Sequence, residues 1–155
     1  MSLEQTFVMI KPDGIQRQLL GEVISRFEKK GLKLVALKMI RIDRELAEEH
    51  YGIHKGKPFY AGLIEFITSG PVVASIWSGE NAIHIVRKLV GATRAEDAEP
   101  GTIRGDFAIS TSFNIVHASD SPETAQREIN LFFSRKEMLT YNLTIEEWLC
   151  PEDEK

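Results

Sequence analysis

One cysteine, Cys150, is the only thiol in this chain of 155 residues. No disulfide can close within it, no cysteine–histidine spacing suggests a structural zinc, and a reducing compartment fits. Long apolar runs are missing too. Nowhere do roughly eighteen apolar residues follow one another, and the short apolar run near the N-terminus is flanked by Glu4 and Lys11, so the chain reads as soluble and cytoplasmic. Positive charge is not in excess. With 19 basic and 23 acidic residues the formal net charge is −4, which removes any global attraction to nucleic acid or anionic membrane. Any phosphate site must then be a local cationic cluster. There is no Walker-type Gly-x-x-x-x-Gly-Lys-Ser/Thr loop, no internal repeat and no linker. What is there, 43% hydrophobic and 27% charged, is the balance of an ordinary globular chain. One domain spanning residues 1–155 can bury its core without disulfide or metal.

Thr6 to Ile10 is rich in strand formers and is stopped by the turn chemistry of Lys11-Pro12-Asp13-Gly14. Leu20, Val23, Ile24 and Phe27 follow the i, i+3, i+4, i+7 pattern of an amphipathic helix to Lys30, with Gly31 as its C-cap. Leu32 to Ile42 reads as a long strand with Leu34, Ala36, Ile40 and Ile42 on one face and Val35, Leu37 and Met39 on the other. Apolar on both faces, it predicts burial by the domain and again by a partner subunit. Asp43 caps a short helix through Tyr51, and a second helix over Phe59 to Thr68 makes a hairpin with it. Val72 to Trp77 is a strand. Glu80 to Val90 is a helix with Arg87 off its apolar stripe, and Gly91 to Ile109 is a long loop without period. Ile115 and Val116 then read as a strand end, and Ser121 before Pro122 as the N-cap of a helix to Phe133. A short turn near Ile145 to Trp148 precedes an acidic tail.

This alternation predicts an α/β sandwich of the ferredoxin-like kind. A four-stranded antiparallel sheet is covered by helices, chiefly on one face, with a helical hairpin inserted and a long loop before the last strand. Fold class alone assigns no activity. The chemistry centres on His117, between a strand end and a helix N-terminus, where unpaired backbone N–H groups attract anions. A histidine titrates near neutrality, so as a residue type its imidazole can attack an electrophile without extensive tuning. Lys11, Arg87 and Arg104 stand at the edges of elements. Taken singly each reads as solvated surface charge, and spacing alone does not bring them together.

Three segments carry a resemblance: Thr6 to Gly14, Pro100-Gly101-Thr102-Ile103-Arg104-Gly105-Asp106, and Asn114-Ile115-Val116-His117-Ala118-Ser119-Asp120-Ser121. They resemble the signature blocks of the nucleoside diphosphate kinases. The intervening pieces His50-Tyr51, Pro58-Phe59, Ser69 to Ala74 and Gly91-Ala92-Thr93 match in the same order. The resemblance implies a ping-pong kinase that moves the terminal phosphate of a nucleoside triphosphate, mainly ATP, onto His117 and then onto another nucleoside diphosphate. It also implies that Glu128 hydrogen-bonds the imidazole, that Ser119 supports the histidine turn, and that Tyr51 lies close to the transferred group. Lys11, Arg87, Thr93 and Arg104 would hold the phosphates, Phe59 would stack on the base and Asn114 would meet the sugar hydroxyl. Stacking on a π-face common to all bases implies broad base specificity. Mg2+ would arrive with the nucleotide, with no protein ligand assigned to it. The implied assembly is a homo-oligomer, hexamer rather than tetramer.

Three positions depart from the family pattern: Ala118 for a glycine, Phe113 for a basic residue, Ala95 for a proline. His50, His54 and His84 read as surface or core residues without paired ligands. Two alternatives come from other classes. A catalytically silent nucleotide-binding module would lack one of His117, Lys11, Arg104 and Glu128, all of which are present. A nucleic-acid binder on the same sheet would need a basic surface and exposed strand aromatics.

Overall fold

The computed structural model describes residues 3–155. Four antiparallel strands form one sheet in the order β2-β3-β1-β4. They are β1 (Leu3–Ile10), β2 (Lys33–Arg41), β3 (Pro71–Glu80) and β4 (Val116–Ala118). β1 runs beside β3 from Leu3↔Glu80 to Ile10↔Val73, and its far half pairs with β4, setting Met9 opposite His117.

Helices cover both faces rather than mainly one. The reason is written in β1, where Phe7, Val8, Met9 and Ile10 are all buried although successive strand residues point to opposite sides. On one side Phe7, Met9, Ala74 and Ile76 pack with α3 (Arg44–His50), α4 (Tyr60–Ile67) and α7 (Pro122–Phe132). On the other, Val8, Ile10, Val73 and Trp77 meet α2 (Leu20–Lys30), α5 (Ala82–Val90) and α6 (Ile103–Phe107). A short α1 (Pro12–Gln16) follows β1, so Lys-Pro-Asp-Gly opens a helical turn instead of ending in a loop.

α2 has the expected bounds, with Gly31 at φ +103° closing it in the left-handed conformation that glycine adopts most readily. Asp43 accepts from the Leu46 N–H at 2.8 Å and Ser121 from the Thr124 N–H at 3.1 Å, as the capping patterns predict.

β2 differs from its alternating pattern. A register shift between Leu34 and Ala36 inserts Val35 as an extra residue, so Val35 joins Ala36 and Ile42 in the first core while Leu34 packs in the second. Beyond the bulge Leu37 and Met39 turn outward, 46% and 58% exposed on an edge strand. The bulge is met by the tail: the Leu139 N–H donates to the Val35 carbonyl at 3.1 Å, and the Tyr141 hydroxyl to that of Leu34. Gly91 to Ile109 is not structureless, because α6 forms inside it. There Gly105 is obligatory, since a Cβ would stand 1.8 Å from the Glu99 carbonyl oxygen. No helix of the described residues is long and apolar enough to cross a membrane.

Candidate active site

β4 is only three residues long, and its alternation decides what each can do. Val116 and Ala118 point into the second core, so His117 points to the opposite face, beside the Phe7 ring and under α7. There its Nε2 lies 2.7 Å from Glu128 Oε2. The buried Ser119 hydroxyl donates to the other carboxylate oxygen at 2.6 Å. Burial alone would push the Glu128 carboxyl up, but the His117 hydrogen bond and charge, with Ser119 and His50, hold it below the usual carboxylate range. Glu128 is therefore an ionised acceptor fixed from two sides, to which His117 Nε2–H donates; in the uncharged ring that tautomer leaves the lone pair on Nδ1.

The backbone entering β4 is strained. Ile115 has φ +75°, and the Val116 N–H bonds back to the Asn114 carbonyl at 2.8 Å, the i→i+2 link of a γ-turn. For a β-branched residue this costs about 1–3 kcal/mol and survives only where neighbours over-determine it. They do so here. Asp13 Oδ2 accepts from the Ile115 N–H at 2.9 Å, and the Lys11 N–H donates to the Ile115 carbonyl at 2.8 Å. Gly14 lies beneath that carbonyl, where a Cβ would approach its oxygen to 2.9 Å.

Around this turn the cations converge. Lys11 Nζ donates to Asn114 Oδ1 at 2.8 Å, and Asn114 Nδ2 donates to the Thr93 carbonyl at 3.0 Å. Arg104, 3% exposed, reaches three carbonyls: Val116 at 2.6 Å, Gly91 at 3.2 Å and Asn114 at 3.3 Å. Arg87 donates to the Ala118 carbonyl at 3.0 Å. Burial, reinforced by the Arg104 charge and opposed by Asp13, lowers the Lys11 ammonium to about 8. Burial and Arg87 together bring Arg104 to about 10, again against Asp13. Asp13 offsets only part of the repulsion between these cations, and an arriving phosphate relieves more of it.

From His117 a chain of rings leads outward. His50 stands edge-on to it at 4.9 Å between centroids, Tyr51 is 4.6 Å from His50, His54 is 6.3 Å from Tyr51, and Phe59 is 5.3 Å from His54. Burial, then Glu128, raise the Tyr51 phenol to about 12, so its hydroxyl stays a donor. Phe59 is half exposed, with Lys57 Nζ 5.7 Å from its ring centroid.

The structure thus links every sequence-predicted site residue into one contact network. Two further members were not singled out. Asp13 looks like turn chemistry in sequence, and its grip on Ile115 depends on a contact about a hundred residues away. His50, in sequence a surface or core residue without a paired ligand, is a core residue whose Nδ1 lies 3.6 Å from Glu128 Oε2. The available signal was its phase with Leu46, Ala47 and Tyr51 on the inward side of α3. His54 leans on Phe59 and His84 is exposed, as read. The departures are accommodated. Ala118 needs no positive φ, Phe113 packs edge-on to Phe66 at 5.1 Å, and the Ala95 N–H donates to Thr111 Oγ1 at 3.2 Å, which a proline cannot do.

Comparison with known proteins agrees with this geometry. Residues 4–138 match the family model described as nucleoside diphosphate kinase. A protein of that name from Carboxydothermus hydrogenoformans is 58% identical over 147 residues, 95% of this chain and 99% of its own. Its namesake from Symbiobacterium thermophilum is 59% identical over 150 residues, 97% and 99% of the two chains. Among solved structures, a halophilic nucleoside diphosphate kinase from Halobacterium salinarum in complex with CDP superposes with a TM-score of 0.94. It is 50% identical, with 96% of this chain and 99% of that one covered. On sequence, fold and site together, the chain belongs to the nucleoside diphosphate kinase family, whose members are phosphotransferases.

Proposed function

We propose that this enzyme runs its phosphotransfer through His117 Nδ1. The observation that carries the reading is the 2.7 Å bond between His117 Nε2 and Glu128 Oε2. With the proton held at Nε2, the Nδ1 lone pair attacks the terminal phosphorus of a nucleoside triphosphate in line. The Nδ1–P bond forms as the bond from phosphorus to the bridging oxygen breaks, and the diphosphate leaves with that electron pair. The phosphorylated ring is cationic, and the Glu128 carboxylate, kept ionised by Ser119, stabilises it. A terminal oxygen of a second nucleoside diphosphate then attacks the same phosphorus, and Nδ1 recovers its lone pair.

Lys11, Arg87 and Arg104 supply the positive field. Arg104 also braces both ends of the Ile115 turn, so it positions His117 as well as attracting phosphate. Thr93 and Asn114 border the same mouth, suited to phosphate and sugar hydroxyl, and Tyr51 Oη to the transferred group. Phe59 offers a stacking face indifferent to base identity, which supports broad specificity. Mg2+ is a hard cation that takes oxygen ligands. Glu128, the carboxylate beside His117, is engaged by the imidazole and by Ser119, and Lys11, Arg87 and Arg104 around the turn are cations, so the metal comes as part of the nucleotide. We further propose that the chain works as one domain in the cytoplasm, where its lone thiol stays reduced. The open, apolar edge of β2 supports a homo-oligomer, with a hexamer favoured by the family resemblance.

The test mixes the protein with Mg2+ and terminally labelled ATP, then removes free nucleotide. Acid-labile, alkali-stable label on the chain that leaves as GTP when GDP is added is the expected result, and His117→Ala retains none. Labelling of His117→Ala at the normal rate would overturn the assignment.

A further inference from the structure

One buried group has no task in that cycle. His50 is 3% exposed, and among the described residues neither of its ring nitrogens has a hydrogen-bond partner. A polar group left so costs about 1–3 kcal/mol, and natural proteins seldom bear that without a use. Its Nδ1 points toward Glu128 Oε2 at 3.6 Å, the oxygen that His117 Nε2 also meets at 2.7 Å. One donor atom from each of the three side chains lies within 4.8 Å of the others. Two imidazoles and a carboxylate are the donor set of a zinc centre with three protein ligands and an open fourth position. Metal–ligand bonds of about 2.0–2.2 Å in a tetrahedron separate the ligand atoms by about 3.3–3.6 Å. The His50–Glu128 distance already suits this, and the His117–Glu128 pair must open by less than an ångström once a cation replaces its proton.

We propose that His50, His117 and Glu128 form a site for a borderline divalent cation, Zn2+ being the type, and that occupancy switches transfer off by inverting the His117 tautomer. The inhibitory half rests on the Nδ1 reading above. A neutral imidazole has one proton and one in-plane lone pair. Glu128 keeps the proton on Nε2, whereas a cation takes the Nε2 lone pair and leaves the ring proton on Nδ1, moved there through solvent. No proton is lost from the ring, but Nδ1–H has no lone pair to offer phosphorus. Mg2+ does not compete, because it binds nitrogen poorly and keeps its waters. The exclusion is reciprocal: a ring phosphorylated on Nδ1 has its Nε2 proton locked against Glu128, so the phosphoenzyme refuses the cation.

The experiment titrates the full chain, without nucleotide and in excess Mg2+, with Zn2+ by calorimetry and with Co2+ by its visible absorption. It is run on wild type, on His50→Gln and on wild type phosphorylated beforehand. Wild type is expected to bind one ion per chain with a tetrahedral Co2+ spectrum, and transfer activity should fall at least tenfold as the site fills. His50→Gln should bind at least tenfold more weakly, and the phosphoenzyme not at all. No binding by wild type, or equal binding by His50→Gln and by the phosphoenzyme, overturns the site. Should His50→Gln not fold, the phosphoenzyme decides alone. Binding that depends on His50 yet leaves transfer untouched overturns the tautomer inversion. A metal-free protein that never retains label overturns the phosphohistidine reading instead, and leaves the ion site standing on its spectrum.

Discussion

The sheet has two edge strands, β4 and β2, and they meet the same exposed-edge problem in opposite ways. β4 is short and polar in its surroundings, with Glu128, Arg104, Asn114 and Ser119 all buried beside it and a strained turn leading into it. β2 is long, bulged and apolar, with Leu37 and Met39 presented outward. Both edges depart from regular backbone. At β4 the departure is a positive φ locked by long-range bonds from Asp13 and Lys11, so one geometry is allowed. At β2 it is a bulge met by the tail, which sheds register without strain. The difference teaches where each edge keeps its stability: β4 in ionisation and hydrogen bonds, β2 in apolar area that this chain alone does not bury.

If so, acid should attack the β4 edge first. Burial, helped by the charge of His117 and opposed by Glu128, lowers His50 from 6.5 to about 3. An unfolded chain protonates His50 before the folded one does, so stability is lost as pH falls from 6.5 toward 3, by a few kcal/mol at the bottom of that window. Glu128, held below its usual range, adds a loss of the same sign as pH falls through the carboxylate range. Denaturant unfolding at a series of pH values should show the slope for wild type and a flatter one for His50→Gln. Equal slopes would mean that His50 does not carry it.

The turn offers the next largest effect. Asp13→Ala strips the acceptor from the Ile115 N–H and should cost about 1–3 kcal/mol of stability. Because the same bond aims His117, phosphorylation should slow as well, while Ser121→Ala, one turn further along, should lower stability by about 1 kcal/mol with little change in rate. A stable Asp13→Ala protein with normal phosphorylation would show that the γ-turn holds itself.

Lys11 gives a smaller, pH-dependent effect. With its ammonium lowered to about 8, the free enzyme loses that charge as pH rises through 8, and kcat/KM for nucleotide should fall by up to about tenfold per pH unit. Stability runs the other way. Between about 8 and 10.5 the unfolded chain holds the extra proton, so stability rises with pH there. A pH profile of kcat/KM whose alkaline limb persists in Lys11→Arg would remove Lys11 from the explanation.

How far the sequence told this story differs between the edges. Local signals were enough where one turn of chain decides: Asp43 and Ser121 as caps, and α2 from its stripe and Gly31. They failed where a distant contact decides. The Val35 bulge leaves the period of two intact on either side, and only the pairing with β3 shows that the two halves face differently. α6 lies in a loop without period because five residues seated against Glu99 need no amphipathic stripe. Arg104, a surface charge by composition, is buried because three carbonyls receive it. His117 and Glu128 stand eleven residues apart on different elements, so their pairing was legible only through resemblance.

The β2 edge should yield the smallest effect on the folded chain and the clearest on its assembly. Leu37 and Met39 are 46% and 58% exposed, so replacing both by lysine removes little buried area and adds no buried charge within one subunit. Surface substitutions of this kind stay within about 0.5 kcal/mol. Between subunits the same change sets like charges on a face that association would bury, against a strand edge whose free N–H and C=O groups invite pairing. Sedimentation should therefore show a smaller particle while each chain, unfolded at matched concentration, loses almost nothing of its own. If the particle keeps its size, the apolar edge of β2 is not what holds the subunits together. The contrast between the two edges would then reduce to chemistry at one and mere tolerance at the other.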